Sequence, residues 1–239
     1  SAKLKALLEE FMPGAIVCTQ AFPCGMVADY KRSFSYNVPL VGVLTDFAPH
    51  SYWIYDNVDR YIVPSEETGK KLVDNGIDPG RIAAFGIPID PKLRRHTPKE
   101  AILTKLGLNA HVPRILIMGG TQGLGPIKEL VRLLERSALN LEAMVATGAN
   151  KKLYAALTRK VKGYRKNFKI MPYVKNIDEL MEASDIIVTK PGGITAAEAL
   201  AKGLPMLIVS PLPGQEAMNT RYLLENGVAI KAQNPGDAV

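Results

Sequence analysis

The sequence predicts an α/β protein of two lobes, each built on a parallel sheet. Three observations carry this. Short apolar, β-rich runs alternate with helical patterns along almost the whole chain, as in strands linked by crossover helices. The composition, 47% hydrophobic and 22% charged over 239 residues, is globular, and the chain is long enough for one large or two ordinary cores. A proline-rich, basic stretch with clustered turn signals, PIDPKLRRHTPKE, breaks the alternation near 88–112. The lobes are therefore expected at 1–90 and 113–239, joined by a linker at 91–112.

Taken in order, the opening SAKLKALLEEF has an amphipathic helix pattern. Strands are expected at 15–19, 39–45 (PLVGVLT) and 59–64 (DRYIVP), with a helical stretch to residue 36 between the first two. A helix at 65–76, SEETGKKLVDNG, has a Ser cap at its start and Gly at its end. A short strand is expected at 82–85. The second lobe reads strand 114–118 (RILIM), helix 126–136, strand 141–147, a basic helix from 151, and strand 168–171. It continues with helix 177–183, strand 185–189 (DIIVT), helix 195–202, strand 205–209 and helix 216–226.

Several classes of function are excluded. The most apolar stretch, 183–213, is cut by Lys190, Glu198 and Lys202, so no run reaches the roughly 18 residues of a spanning helix. The opening SAKLKALLEEF has the pattern of an amphipathic helix, so a secretory signal is not expected in it. Two cysteines, Cys18 and Cys24, make no disulfide framework, and no Cys/His cluster has zinc spacing. The net charge is 30 − 23 = +7, and nine Lys and Arg with no acid fall within 151–175. No nucleic-acid motif accompanies that charge, so no nucleic-acid partner is expected.

The residues suited to chemistry lie in three Gly-rich turns, each placed between a strand and a helix: MGGTQGLGP at 118–126, KPGGIT at 190–195 and PLPGQE at 211–216. Glycine lets a backbone come close to a ligand, and a helix start offers unpaired N–H groups that favour phosphate. All three fall at the carboxyl ends of predicted parallel strands, the edge where open α/β sheets bind ligands. Glu198, three residues after Thr195, fits two roles. It can complete a T-x-x-E capping box, or it can accept both hydroxyls of a ribose. Gln215 and Glu216 likewise suit either a helix start or a set of sugar hydroxyls.

The run TKPGGITAAEALAKGLPMLIVSPLPGQEAMNTRYLLENG, 189–227, resembles the donor-binding region of the glycosyltransferases that make glycosyl diacylglycerols. These are the monogalactosyldiacylglycerol synthases and the bacterial processive diacylglycerol glucosyltransferases, of the glycosyltransferase family 28 type. MGGTQGLGPIKEL, 118–130, is similar to the family's inter-lobe glycine loop. VGVLTDFAPHSYWI (41–54), VDRYIVPSEE (58–67) and RIAAFGIPID (81–90) match its N-terminal lobe in order and spacing. The resemblance implies a GT-B fold, two Rossmann-like lobes facing across a cleft, and a UDP-sugar donor held by the second lobe. It implies that Gly192, Gly193 and Thr195 contact the diphosphate, Glu198 the ribose, and Gln215 and Glu216 the sugar. The backbone at Tyr173 and Val174 would meet the uracil, and Gly119, Gly120, Thr121 and Gln122 would face the phosphates.

The reaction so implied moves glucose or galactose from the UDP-sugar to diacylglycerol, with no cofactor beyond the donor. No Asp-x-Asp motif occurs, which fits a metal-independent transferase. The family's Gly-Gly-Gly-His loop, taken to carry the catalytic base, has no counterpart, so the chain is expected to be the middle and rear of a longer enzyme. Asp46 and His50, in TDFAPHSYW, are the candidate catalytic residues that remain, while His96 and His111 are expected on the exposed linker. The acceptor implies peripheral docking on the cytoplasmic face of a membrane with an anionic surface. Two segments are candidates for that docking. One is the basic helix with its apolar face of Leu153, Ala156, Leu157, Val161 and Tyr164. The other is the aromatic loop of Phe47, Tyr52, Trp53, Ile54 and Tyr55. The alternatives are an N-acetylglucosamine transferase acting on a lipid-linked cell-wall precursor, a UDP-sugar epimerase, and a nucleotide-sugar-binding fragment without turnover.

Overall fold

A computed structural model describes residues 2–239. The chain divides into two compact units, the first ending at Pro88 and the second running Ile89–Val239.

The first unit holds a four-stranded parallel sheet of β1 (Ile16–Cys18), β2 (Leu40–Val43), β3 (Arg60–Val63) and β4 (Ile82–Ala84), in the order β1-β2-β3-β4. Helices α1 (Ala2–Phe11), α2 (Ala21–Phe34) and α3 (Glu66–Val73) complete it. The expected serine cap of α3 is present: Ser65 Oγ accepts the Thr68 N–H at 3.2 Å. Leu40, Tyr61, Val63 and Leu72 are fully buried in the core. The Tyr61 hydroxyl donates to the Trp53 carbonyl at 2.6 Å and accepts the Tyr55 N–H at 3.1 Å, so a buried polar tip is satisfied from both sides.

That packing overturns one docking candidate. Phe47 and Trp53 are buried, and Ile54 and Tyr55 pack against the same core. Only Tyr52 of the aromatic loop is widely exposed, at 60%. The aromatic residues were needed inside, where large rings supply much of a small sheet's core.

The second unit contains α4 (Lys99–Leu106), β5 (Arg114–Met118), α5 (Ile127–Arg136), β6 (Glu142–Ala146), α6 (Lys151–Lys160), β7 (Phe168–Met171) and α7 (Ile177–Ala183). It continues through β8 (Ile186–Thr189), α8 (Gly193–Ala201), β9 (Met206–Ile208), α9 (Gln215–Glu225) and β10 (Ala229–Lys231). Its six strands are all parallel and lie in the order β10-β9-β8-β5-β6-β7. Renumbered within the unit this is 3-2-1-4-5-6 read from β7, the Rossmann order, and the chain reverses direction across the sheet between β5 and β8.

Helix α5 turns Ile127, Leu130, Val131 and Leu134 into the core, and α6 contributes Leu153 and Leu157. Val161 and Tyr164 pack beside them. The apolar face of the basic segment is therefore used by its own sheet and is closed to lipid, while Lys151, Lys152, Arg159, Lys160 and Lys162 stay exposed. At the amino ends of β5 and β6, the register neighbours Arg114 and Glu142 are buried yet satisfied. Arg114 Nε donates to the Ala183 carbonyl at 2.7 Å, and Glu142 accepts from Asn109 N at 2.9 Å and Asn167 Nδ2 at 2.7 Å.

The expected linker is not free chain. Residues 91–106 carry α4 and are fastened to the second unit. Lys99 pairs with Asp185 at 2.6 Å, Lys105 with Glu179 at 2.9 Å, and Lys92 donates to the Lys175 carbonyl at 2.7 Å. Basic and proline-rich composition signalled a connection, but its lysines find acidic partners far along the chain. His96 and His111 do lie at the surface. Among the described residues no helix is long and apolar enough to cross a membrane.

Candidate functional site

A cavity of about 350 Å³ opens at the carboxyl edge of the second sheet, at the reversal between β5 and β8. Its walls come from the loops after β5, β6 and β7 and from the first turns of α8. Gly120, Thr121, Tyr173, Val174, Thr195 and Glu198, six of the residues singled out in the sequence, line it together. A hollow of about 720 Å³ in the first unit is larger, but it lies by the amino ends of strands, where Lys31 is paired with Asp59 and the guanidinium groups of Arg81 and Arg60 donate to the Asp56 and Gly80 carbonyls.

The start of α8 removes one of the two sequence readings of Glu198. Helix α8 begins at Gly193, two residues earlier than expected, with Gly192 as its N-cap and no side-chain cap. Thr195 is thus the third helical residue and cannot serve as the cap of a T-x-x-E box. The Glu198 carboxylate accepts no hydrogen bond from any described residue. Burial pushes its pKa above the ordinary carboxylate value, with Lys92 opposing and Asp90 reinforcing the shift. A half-buried, unpartnered carboxylate in a cavity is costly unless a ligand completes it.

Two further sets of unspent polar groups face the same space. The N–H groups of the first turn of α8 have no cap, and they sit at the positive end of the helix dipole. Tyr173 and Val174, on the loop between β7 and α7, enter no backbone hydrogen bond with a described residue, although loops of this kind usually close on themselves.

The glycine loops divide into two kinds. Gly192 has φ −65° and nothing within 4 Å of where a Cβ would stand, so its missing side chain leaves room above the turn. Gly119 and Gly148 are required by the protein itself. A Cβ on Gly119 would stand 2.6 Å from Leu124 N and closer still to its carbonyl oxygen. One on Gly148, at φ +59°, would stand 2.8 Å from the Gly120 oxygen and fall on that of Thr121. The loops after β5 and β6 lock backbone to backbone, with Ala149 N donating to the Thr121 carbonyl at 2.7 Å. Gly148, which the sequence reading passed over, is as necessary to the site wall as Gly120. Its signal was local, a Gly directly after a strand in ATGAN, and was hidden by the absence of a second glycine.

Glu216 is committed to the third loop. Its carboxylate pairs with Lys190 Nζ at 2.9 Å and accepts the Leu212 N–H at 2.7 Å. Gln215 opens α9 beside it. Asn219, one turn along α9 and fully buried, donates from Nδ2 to the Pro191 carbonyl at 3.0 Å and so pins the turn before α8. Nothing in the sequence distinguished Asn219 from an ordinary helical residue. Asn219→Ala is expected to cost about 2 kcal/mol of stability, since it orphans a buried carbonyl. A melt of the variant beside a nucleotide titration checks this, and both stability and affinity should fall because the turn is released.

Asp46 and His50 lie on the loop that follows β2, in the first unit. His50 Nδ1 accepts the Tyr52 N–H at 3.2 Å, and its ring lies tilted at 50° to that of Tyr52 with centroids 4.7 Å apart. With Nδ1 so used, the neutral ring carries its proton on Nε2 and acts there as a donor.

The fold class is α/β of the GT-B type. Solved structures that superpose on the chain include MurG from Acinetobacter baumannii, at a TM-score of 0.65, 14% identity, 95% of this chain and 62% of that one. Another is HepE from Anabaena in complex with UDP, at 0.64, 16% identity, 99% of this chain and 69% of that one. Residues 114–234 match the glycosyltransferase family 28 C-terminal domain, and residues 1–89 match monogalactosyldiacylglycerol synthase. The chain belongs to glycosyltransferase family 28. It is 35% identical over 230 residues to the processive diacylglycerol beta-glucosyltransferase of Bacillus pumilus, and 35% identical over 229 residues to that of Bacillus subtilis. Each match covers 95% of this chain, which spans 59% of the length of those relatives.

Proposed function

We propose that this chain binds a UDP-sugar in its second unit and takes part in transferring the hexose to diacylglycerol. One observation carries the reading. A single cavity at the strand reversal gathers an unpartnered carboxylate, an uncapped helix start and an unpaired loop backbone. These are the complements of a ribose diol, a diphosphate and the edge of a base. The uracil lies against the main chain of Tyr173 and Val174, and Glu198 accepts the two ribose hydroxyls. The diphosphate lies over Gly192, Gly193 and Thr195, faced by Gly119, Gly120, Thr121 and Gln122. Gln215 and Glu216 meet the sugar.

Breaking the glycosidic bond leaves charge on the departing UDP. The fixed N–H groups of α8 and its dipole are aimed where that charge develops, which lowers the barrier without reorganisation. The donor is the one small molecule the reaction needs. Within this chain Asp46 accepts the proton of the acceptor hydroxyl, because His50 in its observed pose donates at Nε2. Glucose is the favoured hexose, supported by the relatives' names. The protein meets an anionic, cytoplasmic-facing leaflet peripherally, through the exposed lysines and arginines of α6 and without insertion.

Calorimetry with UDP-glucose, UDP-galactose and UDP-N-acetylglucosamine, followed by turnover on diacylglycerol vesicles, tests this. UDP-glucose is expected to bind most tightly of the three. Preference for UDP-N-acetylglucosamine would move the assignment to a lipid-linked precursor transferase, and absence of all binding would remove the donor site.

A further inference from the structure

Lys190 is the first residue after β8, at the strand reversal, and its side chain is 9% exposed. Its stem runs along the glycine loop after β5, with Cγ 3.9 Å and Cδ 3.8 Å from the place a Gly125 Cβ would occupy. Its ammonium meets one carboxylate, that of Glu216 at 2.9 Å. An ammonium has three N–H donors, and no other partner of Lys190 Nζ is present among the described residues. Two donors of a lysine nine-tenths buried are therefore unspent, which is costly for a purely structural pair. Glu216 does not depend on the lysine for its position, since the Leu212 N–H holds it from the loop side. The carboxylate stays in place if the ammonium leaves.

We propose that Lys190 is a catalytic cation for the diphosphate of a nucleotide donor, parked on Glu216 until that ligand arrives. The inference rests on the donor-site reading above and adds a residue and an exchange to it. A diphosphate carries more negative charge than a single carboxylate, and it would lie between the two loops that Lys190 already spans. The flexible four-carbon stem lets the ammonium move while its base stays fixed. The exchange has two results. The ammonium follows the charge that grows on the leaving diphosphate, a contact stronger in the transition state than in the ground state. Glu216, released, becomes free to accept hydrogen bonds from sugar hydroxyls. Phosphate binding and sugar recognition are thereby coupled through one ion pair.

The test is titration of the protein with UDP, UMP and uridine, with a melt of every variant. Lys190→Met is expected to weaken UDP about tenfold or more, UMP less, and uridine by under about twofold. Lys190→Arg should recover part of the UDP loss. Glu216→Gln frees the ammonium in advance and is expected to tighten UDP several-fold. Because Lys190→Met leaves the part-buried Glu216 carboxylate without its counter-charge and can destabilise the unit, Lys190→Met with Glu216→Gln is the second variant. It removes both charges and should still show the UDP-specific loss. Uridine and UDP binding unchanged in both lysine variants would overturn the role of Lys190 and leave the donor site standing. A wild-type protein that binds neither uridine nor UDP would overturn both.

Discussion

Glu198→Gln is expected to raise the melting temperature of the unliganded protein while weakening its hold on uridine nucleotides. The carboxyl of Glu198 is raised above its ordinary value of 4.5, first by burial and then by Asp90, against the pull of Lys92. An acid with a raised folded-state pKa prefers the folded state when protonated. Its contribution to stability is fully present below pH 4.5 and is lost as pH rises through the higher folded value. At neutral pH the wild-type protein therefore carries an unpaired, partly desolvated charge. Glutamine removes that charge and with it this part of the pH slope. Melts of both proteins from acidic to neutral pH should diverge as the pH rises, with the variant the more stable.

Binding should move the other way. A carboxylate accepting two ribose hydroxyls contributes about 3 kcal/mol through two charge-assisted bonds, so Glu198→Ala should weaken UDP about 100-fold. The amide retains one acceptor, and Glu198→Gln should fall in between. A variant that is less stable at neutral pH yet binds UDP as the wild type does would show that Glu198 is an ordinary helix residue.

The second large effect comes from glycines that look alike in the sequence. Gly148→Ala places a methyl group on the backbone of the neighbouring loop and holds an ordinary residue at φ +59°. Overpacking against main chain and a left-handed backbone together cost about 3 kcal/mol. For a unit of this size that lowers the melting temperature by roughly 9 °C. Nucleotide affinity should fall with it, since the wall at Gly120 and Thr121 must shift. Gly192→Ala is the contrast. Its φ of −65° suits any residue and nothing lies within 4 Å, so stability should change little. The methyl would occupy the space assigned to the diphosphate, and UDP should bind more weakly. If Gly192→Ala binds UDP normally, the diphosphate does not lie over that turn.

The contrast also shows what local sequence could convey. The strand RILIM, the Ser65 cap and the three Gly-rich turns are signals written within a few residues, and the turns do lie after strands, at the carboxyl edge of the second sheet where the cavity opens. The T-x-x-E spacing at Thr195 and Glu198 was equally local and misleading, because the helix had already started at Gly193, where no residue announces a cap. Helix α4 and strand β10 were missed. The first hides in a proline-rich basic stretch whose lysines are fixed by Glu179 and Asp185, over 70 residues away. The second is three residues long and is defined only by pairing with β9. The ion pair of Glu216 with Lys190 was also out of reach, because the two residues lie on different loops. Residues whose roles depend on a distant partner carry no mark in the chain.

The order of the second sheet has a consequence for how that unit is made. During synthesis β5, β6 and β7 are available first and can pair among themselves. One edge of β5 then waits, its backbone groups open, until β8 begins at Ile186, 68 residues after Met118 (186 − 118 = 68). Closing a parallel pair over that separation is among the slower steps a chain takes, and an open strand edge invites wrong partners meanwhile. The cavity sits on that seam. A small molecule bound there would tie the early half of the sheet to the late half, so the same contacts that hold it would also guard the newly finished protein against coming apart between those halves.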